Sequence, residues 1–231
     1  MTPYQLGQSY TSLYRAVSLH PTVNWADAMS IGQMQSKAWA IDELAKTKKK
    51  LGMVYIVAGW LGTMAMLLLS EPKLKIDKIR SFDLDPTCQQ PADQLNIEHL
   101  IKEWTFKAVT KNLFEIDYAT HEYKIPVPGG YTDPKTKKFV ANKPALMVES
   151  PDTIINTSCD HIKDFSTWWN MIPRGKLTVL QNNNFIDGGD DHVNIVTSLQ
   201  KFADMAPMSK VLFSGEREFA KYTRYMLIGT R

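Results

Sequence analysis

The amino-acid sequence predicts one α/β domain of the doubly wound type, with a mostly parallel sheet that ends in an antiparallel hairpin. Three observations point there. Short apolar, β-branched runs alternate with helix-like stretches along most of the chain, as successive βαβ units require. The first such run leads into a Gly-x-x-Gly turn, Gly59-Trp60-Leu61-Gly62, and the second ends on an acid, Asp83. The last two runs, 210–219 and 222–230, are separated by too short a link for a crossover helix, so they pair antiparallel.

A chain of 231 residues, 44% of them hydrophobic, is long enough to bury one sizeable core, and 1–231 reads as a single domain. A formal net charge of +3 makes no demand for nucleic acid or an anionic surface as partner, and nucleic acid has no support in the sequence. Cys88 and Cys159 are too few for a disulfide framework and lack companions at zinc-site spacing, which suits a reducing cytoplasm. Residues 1–14 do not read as a secretory signal. The run from Met53 to Leu69 follows Lys46, Lys48, Lys49 and Lys50 and has the look of a membrane span. Gly59 and Gly62 break it, and it is shorter than the ~20 residues a span needs. Strand, turn and helix explain it better, and no membrane partner is expected.

In chain order, Asn24 followed by Asp27 resembles a capping box and opens a mostly helical stretch to about residue 46, with a break near Gly32; residues 1–46 form a helical N-terminal cap. Residues 54–58 are a continuous apolar run, as in a central parallel strand covered on both faces. Met64 to Leu69 favours helix, Pro72 stops it, and 78–83 forms the second strand. Pro86 suits the first turn of the next helix, 97–104 continues helical, and 105–110 turns β-like. Residues 152–156 and 176–181 are two further strands around a helix-like stretch that ends at Pro173-Arg174-Gly175. Val193, Val196, Leu199 and Phe202 follow helical spacing and predict a helix over 193–203. The Pro-, Gly- and Lys-rich segment 123–144 is a surface hairpin or flap placed to shape an acceptor site; its Lys135, Lys137 and Lys138 read as a solvated charge run.

Where the first strand meets its helix, Gly59 and Gly62 let backbone approach a ligand. Asp83 stands about 20 residues on, where an acid can accept hydrogen bonds from both hydroxyls of a ribose. Together they point to a nucleoside-bearing cofactor. A nicotinamide dinucleotide would want a third glycine near the position of Met66, so an NAD-dependent oxidoreductase is the lesser reading.

The segments 56–62, 82–86 and 225–229 resemble the class I S-adenosylmethionine-dependent methyltransferases, with the likeness spanning roughly 50–231. That resemblance implies a sheet with one reversed final strand and S-adenosylmethionine as cofactor. It also implies cofactor contacts from Gly59, Trp60 and Gly62, a ribose on Asp83 and an adenine near Asp117. Two departures stand out. Trp60 and Leu61 replace small residues, and the fourth strand ends in Asn156-Thr157-Ser158-Cys159-Asp160-His161 instead of an Asn or Asp followed by two prolines and an aromatic. The methyl acceptor, a small molecule or an exposed group on a larger one, is left open.

Because the sulfonium already activates the methyl group, the protein has to align a nucleophile and exclude water. Asn156, Asp160 and His161 fall at the carboxyl edge of the sheet, where open α/β sheets bind ligands, and are the candidate catalytic residues, with His161 as base or orienter. Asp160 and His161 read equally well as caps of the next helix. His192 follows the fifth strand and could touch the acceptor, or simply begin a helix. Asp190 and Asp191 beside it show no facial or tetrahedral ligand spacing, so no metal is expected. The polar residues of 30–39 could close over the cofactor or acceptor. A protein that keeps this fold and binds a nucleoside cofactor without catalysis, as a scaffold, is the reading from outside the enzymes.

Overall fold

Strand β1 (Lys50–Val57) occupies the middle of the sheet because it has no polar face: after Lys50 every residue is buried. In the computed structural model, which describes residues 3–101, 104–125, 127, 129–186 and 192–231, its parallel neighbours are β2 (Lys75–Asp83) and β8 (Thr153–Asn156). β3 (Phe106–Thr110) lies beyond β2, and β9 (Leu177–Asn183), β11 (Thr223–Thr230) and β10 (Lys210–Glu218) lie beyond β8. The order is β10-β11-β9-β8-β1-β2-β3, and β11 runs antiparallel to both of its neighbours. This is the doubly wound arrangement with a reversed final strand that the sequence predicts.

Alternation along β1 divides its side chains between two cores. Val54 and Ile56 pack with Met64 and Leu68 of α4 (Thr63–Ser70) and with Trp39 and Leu44 of α3 (Ile31–Thr47). Tyr55 and Val57 face Trp168 and Trp169 of α7 (Phe165–Met171) and Phe202 of α8 (Leu199–Met205). Each fully buried aliphatic or aromatic side chain stabilises the fold by roughly 1.5–3 kcal/mol. A smaller cluster joins α1 (Pro3–Leu19) and α2 (Trp25–Ala28) to α5 (Gln89–Leu95) through Ala16, Trp25, Ala28 and Leu95. The short α6 (Ile97–Ile101) follows α5.

Several boundaries move for identifiable reasons. Asn24 does cap a helix, its side chain accepting from the Asp27 N–H at 3.1 Å, but the break falls at Met29–Ser30, where Ser30 caps α3, and Gly32 lies inside that helix. The helix expected over 193–203 starts only at Leu199, capped by Ser198, because Val196 instead donates its N–H to Asn183 at the end of β9. The apolar run after the lysines splits into β1 and α4, and among the described residues no helix is long and apolar enough to cross a membrane.

The insertion between β3 and β8 is an arm of two antiparallel ladders. β4 (His121–Ile125) pairs with β7 (Ala145–Glu149), and β5 (Gly130–Thr132) pairs with β6 (Phe139–Ala141). The fully buried Arg80 ties the arm to β2: its guanidinium donates to the Glu149 carboxylate at 2.6 Å, to the Trp104 carbonyl at 2.7 Å and to the Tyr123 hydroxyl. The Tyr123 hydroxyl in turn donates to Glu149.

Candidate functional site

A cavity of about 1180 Å³ opens at the carboxyl ends of β1, β2, β8 and β9. Strand order reverses between β1 and β8, and open α/β sheets bind ligands at such a point. Sites for one drug-sized ligand measure ~300–1,000 Å³, so this volume suits a nucleoside cofactor with an acceptor beside it.

The turn after β1 forms one wall. Ala58 and Trp60 both have left-handed backbone, with φ of 53° and 47°, a conformation that costs a non-glycine residue about 1–3 kcal/mol. Asp83 holds the turn in place: one carboxylate oxygen accepts the Trp60 N–H at 2.7 Å and the other accepts the Asp85 N–H at 3.0 Å. Burial raises the Asp83 carboxyl above its ordinary value, and the hydrogen bonds from Asp85 and Trp60 work against that rise. A carboxylate offers about four lone-pair sites, so Asp83 retains acceptor capacity on the cavity wall.

The two glycines do different work. A Cβ on Gly59 would stand 2.0 Å from the Ser81 hydroxyl, so Gly59 lets the turn lie against β2 and form part of the cavity wall. Gly62 has a φ of +73°, and a Cβ there would meet Asn96 and Ala92. Gly62 lets α4 pack on α5 and is not on the cavity wall, which corrects its expected contact with the cofactor.

The acceptor side is built on the end of β8. Asp160 is buried, with one carboxylate oxygen 2.8 Å from His192 Nδ1 and 3.3 Å from His161 Nε2, and all three residues line the cavity. Asn194 holds them together: its N–H donates to the Asp160 carbonyl at 2.8 Å and its side-chain amide to the Cys159 carbonyl at 3.1 Å. Asp190 and Asp191 lie outside the described residues. Asn156 is not on the wall; its side-chain oxygen accepts the Ser158 N–H at 2.8 Å and shapes the turn behind it. Asp117 stands apart, in a separate shallow depression, with its carboxylate capping the Ala119 and Thr120 N–H groups. Among the described residues none between Cys88 and Thr157 lines the cavity, so neither Asp117 nor the arm reaches it.

The N-terminal helices do reach it. Ser30, Gln33 and Lys37 of the α2–α3 segment stand on the wall. Ser36 fixes α3 to β9, its hydroxyl donating to the Gln181 side chain at 2.8 Å while the Gln181 amide donates back to the Ser36 carbonyl at 3.0 Å. Two cations are buried at the wall: Lys37, from the polar stretch 30–39 expected to close over the site, and Arg224, which the sequence reading did not single out. Burial, helped by Arg224 and opposed by Asp27, pushes the Lys37 ammonium down to about 7.

No protein-family model matches the sequence, and no curated protein does. Solved structures do. A magnesium protoporphyrin IX methyltransferase from Synechocystis PCC 6803 with bound SAH is 12% identical, with 97% of this chain and 94% of that one covered and a TM-score of 0.55. A putative sarcosine dimethylglycine methyltransferase from Galdieria sulphuraria is 13% identical, with 86% of each chain covered and a TM-score of 0.55. The N-methyltransferase NodS from Bradyrhizobium japonicum WM9, in complex with S-adenosyl-L-homocysteine, is 9% identical over 96% of this chain and 98% of its own, with a TM-score of 0.51. At such identities the likeness is one of architecture: the chain has the class I methyltransferase fold.

Proposed function

We propose that the protein transfers a methyl group from S-adenosylmethionine to an acceptor bound at the end of β8. The observation that carries this reading is Asp83, a carboxylate with spare acceptor capacity at the end of β2, fixing the left-handed Trp60 turn on the wall of a cavity roomy enough for two ligands. Its acceptor oxygens fit a ribose: two vicinal hydroxyls can donate to one carboxylate. The neighbouring structures with bound SAH support the same cofactor.

When bound, the cofactor supplies a methyl carbon to which the acceptor's lone pair bonds as the carbon–sulfur bond breaks, leaving that electron pair on a neutral thioether sulfur. The chain's own residues do the rest. Asp83 and the Gly59–Trp60 backbone orient the nucleoside end. The α2–α3 segment and the β10–β11 loop, with Phe219 and Tyr222, line the cavity and restrict water around the bound ligands. Asp160, His161 and His192 form the polar end, where the acceptor is held and gives up its proton. Asp117 has no part in this arrangement.

Titration calorimetry with S-adenosylmethionine, S-adenosylhomocysteine and NAD tests the reading. Both sulfur nucleosides should bind one to one. Failure of both, or tighter binding of NAD, would overturn it.

A further inference from the structure

We propose that Asp160, His161 and His192 hold a divalent first-row transition-metal ion at the acceptor end of the cavity. Two imidazoles and a carboxylate are a ligand set that suits such ions, and three protein ligands leave coordination positions open to a substrate. One ligand atom from each residue lies within 4.8 Å of the others. Two atoms each ~2.1 Å from a common ion stand ~3.0 Å apart at a right angle and ~3.4 Å apart at the tetrahedral angle. The Asp160 oxygen lies 2.8 Å from His192 Nδ1 and 3.3 Å from His161 Nε2, which matches neighbouring positions around one ion.

A second observation is independent of spacing. Asp160 Oδ2 and His192 Nδ1 are both buried, yet neither has a hydrogen-bond partner among the described residues. They approach within hydrogen-bond distance but are not aligned for a hydrogen bond. A buried carboxylate oxygen and ring nitrogen left in this state cost free energy, and a shared cation would satisfy both. The support behind the ligands is what a metal site needs: Asn194 fixes the Asp160 and Cys159 carbonyls, and Arg224 donates to the Thr157 carbonyl at 3.0 Å.

The purpose of the ion rests on the methyl-transfer reading; its binding does not. A divalent ion makes a bound hydroxyl far more acidic, so the favoured acceptor carries an oxygen nucleophile. The hydroxyl proton leaves to solvent, and the resulting oxyanion attacks the methyl carbon.

The test uses the full chain stripped with a chelator and titrated with Co2+ in the absence of cofactor. One equivalent should bind and produce visible ligand-field bands, and Zn2+ should displace it. His192→Ala and Asp160→Asn should each weaken Co2+ binding by at least roughly tenfold. A cooperative thermal melt, measured in parallel, shows that each variant is folded. His192→Ala, at a less enclosed side chain, keeps the test usable if Asp160→Asn does not fold. Wild type that binds S-adenosylhomocysteine but takes up no Co2+ would overturn the proposal. So would undiminished Co2+ binding in folded His192→Ala. Stoichiometric Co2+ uptake lost in the variants, by a protein that binds neither sulfur nucleoside, would uphold the metal site and remove the methyl-transfer reading instead.

Discussion

Asp83→Ala removes the residue that serves the cofactor and the turn together. In the proposed complex the ribose loses two bonds to a charged acceptor, each contributing roughly 1.5–3 kcal/mol. Trp60 also loses the carboxylate that meets its N–H at 2.7 Å and holds it in left-handed backbone. Loss of a single bond already exceeds the ~1.4 kcal/mol that makes a tenfold change. The Kd for S-adenosylhomocysteine should therefore rise by at least about tenfold, and by roughly 10²- to 10⁴-fold if both bonds are lost in full. Asp83→Asn keeps the shape and one acceptor oxygen, and should fall near the low end. Because burial raises the Asp83 carboxyl, wild-type affinity should begin to fall on acidification above the usual carboxylate range, and neither variant should show that component. Calorimetry across pH, with thermal melting to confirm folding, measures both effects. Asp83→Ala that binds within about twofold of wild type would refute the ribose assignment, since twofold is less than ~0.5 kcal/mol.

Lys37 makes a pH prediction. Its folded value is lowered to about 7 against 10.5, so the unfolded chain binds more protons between those values and stability rises with pH through that window. The full displacement is worth at most about 5 kcal/mol; Lys37→Met should be more stable near pH 7 and lack the rise, and parallel denaturation curves for both proteins from pH 7 to 10 would contradict this. Gly59→Ala should destabilise by roughly 1–3 kcal/mol through its 2.0 Å encounter with the Ser81 hydroxyl. Ser81→Ala should recover part of that loss, because the next contact is 3.3 Å; strictly additive effects in urea denaturation would count against the clash. Glu149→Gln leaves the buried Arg80 without its charge partner and should cost about 3–5 kcal/mol, read as a lower denaturation midpoint; an unchanged midpoint would mean that the arm is not held by this pair.

What could be read from the sequence was what neighbouring residues decide together. The apolar run of β1, the glycine turn and the acid ending β2 follow one another within one βαβ unit, and β10 and β11 are joined by a tight link, so their order and direction were legible. What depends on distant contacts was not. Val193 and Val196 keep helical spacing with Leu199 and Phe202, but hydrogen bonds to Asp160 and Asn183 draw residues 194 and 196 onto the sheet edge. The same bonds bring His192 to Asp160, across a separation that no local pattern announces. Asp117 was placed by counting strands; its carboxylate is occupied by its own turn, and no described residue of the arm that follows it comes back to the cavity. The helix α1 falls within the helical cap expected over 1–46, but its bounds were not legible, because Tyr4, Leu6, Tyr10 and Tyr14 stay exposed on it and its apolar residues do not mark a buried face.

The exchange of hydrogen bonds between Ser36 and Gln181 joins residues 145 positions apart. Other contacts of α3 also reach far along the chain: Trp39 meets Phe213 edge-on at 5.9 Å, and Gly32 lies under the Tyr222 hydroxyl. Contacts of such long range form late, since the intervening chain must be ordered before they can close. During synthesis α3 can meet β1 and α4, which follow it directly, well before β9, β10 and β11 exist to complete its packing. Part of the packing of α3 thus waits for strands made well after it, and the cavity wall is incomplete until β10 and β11 are in place.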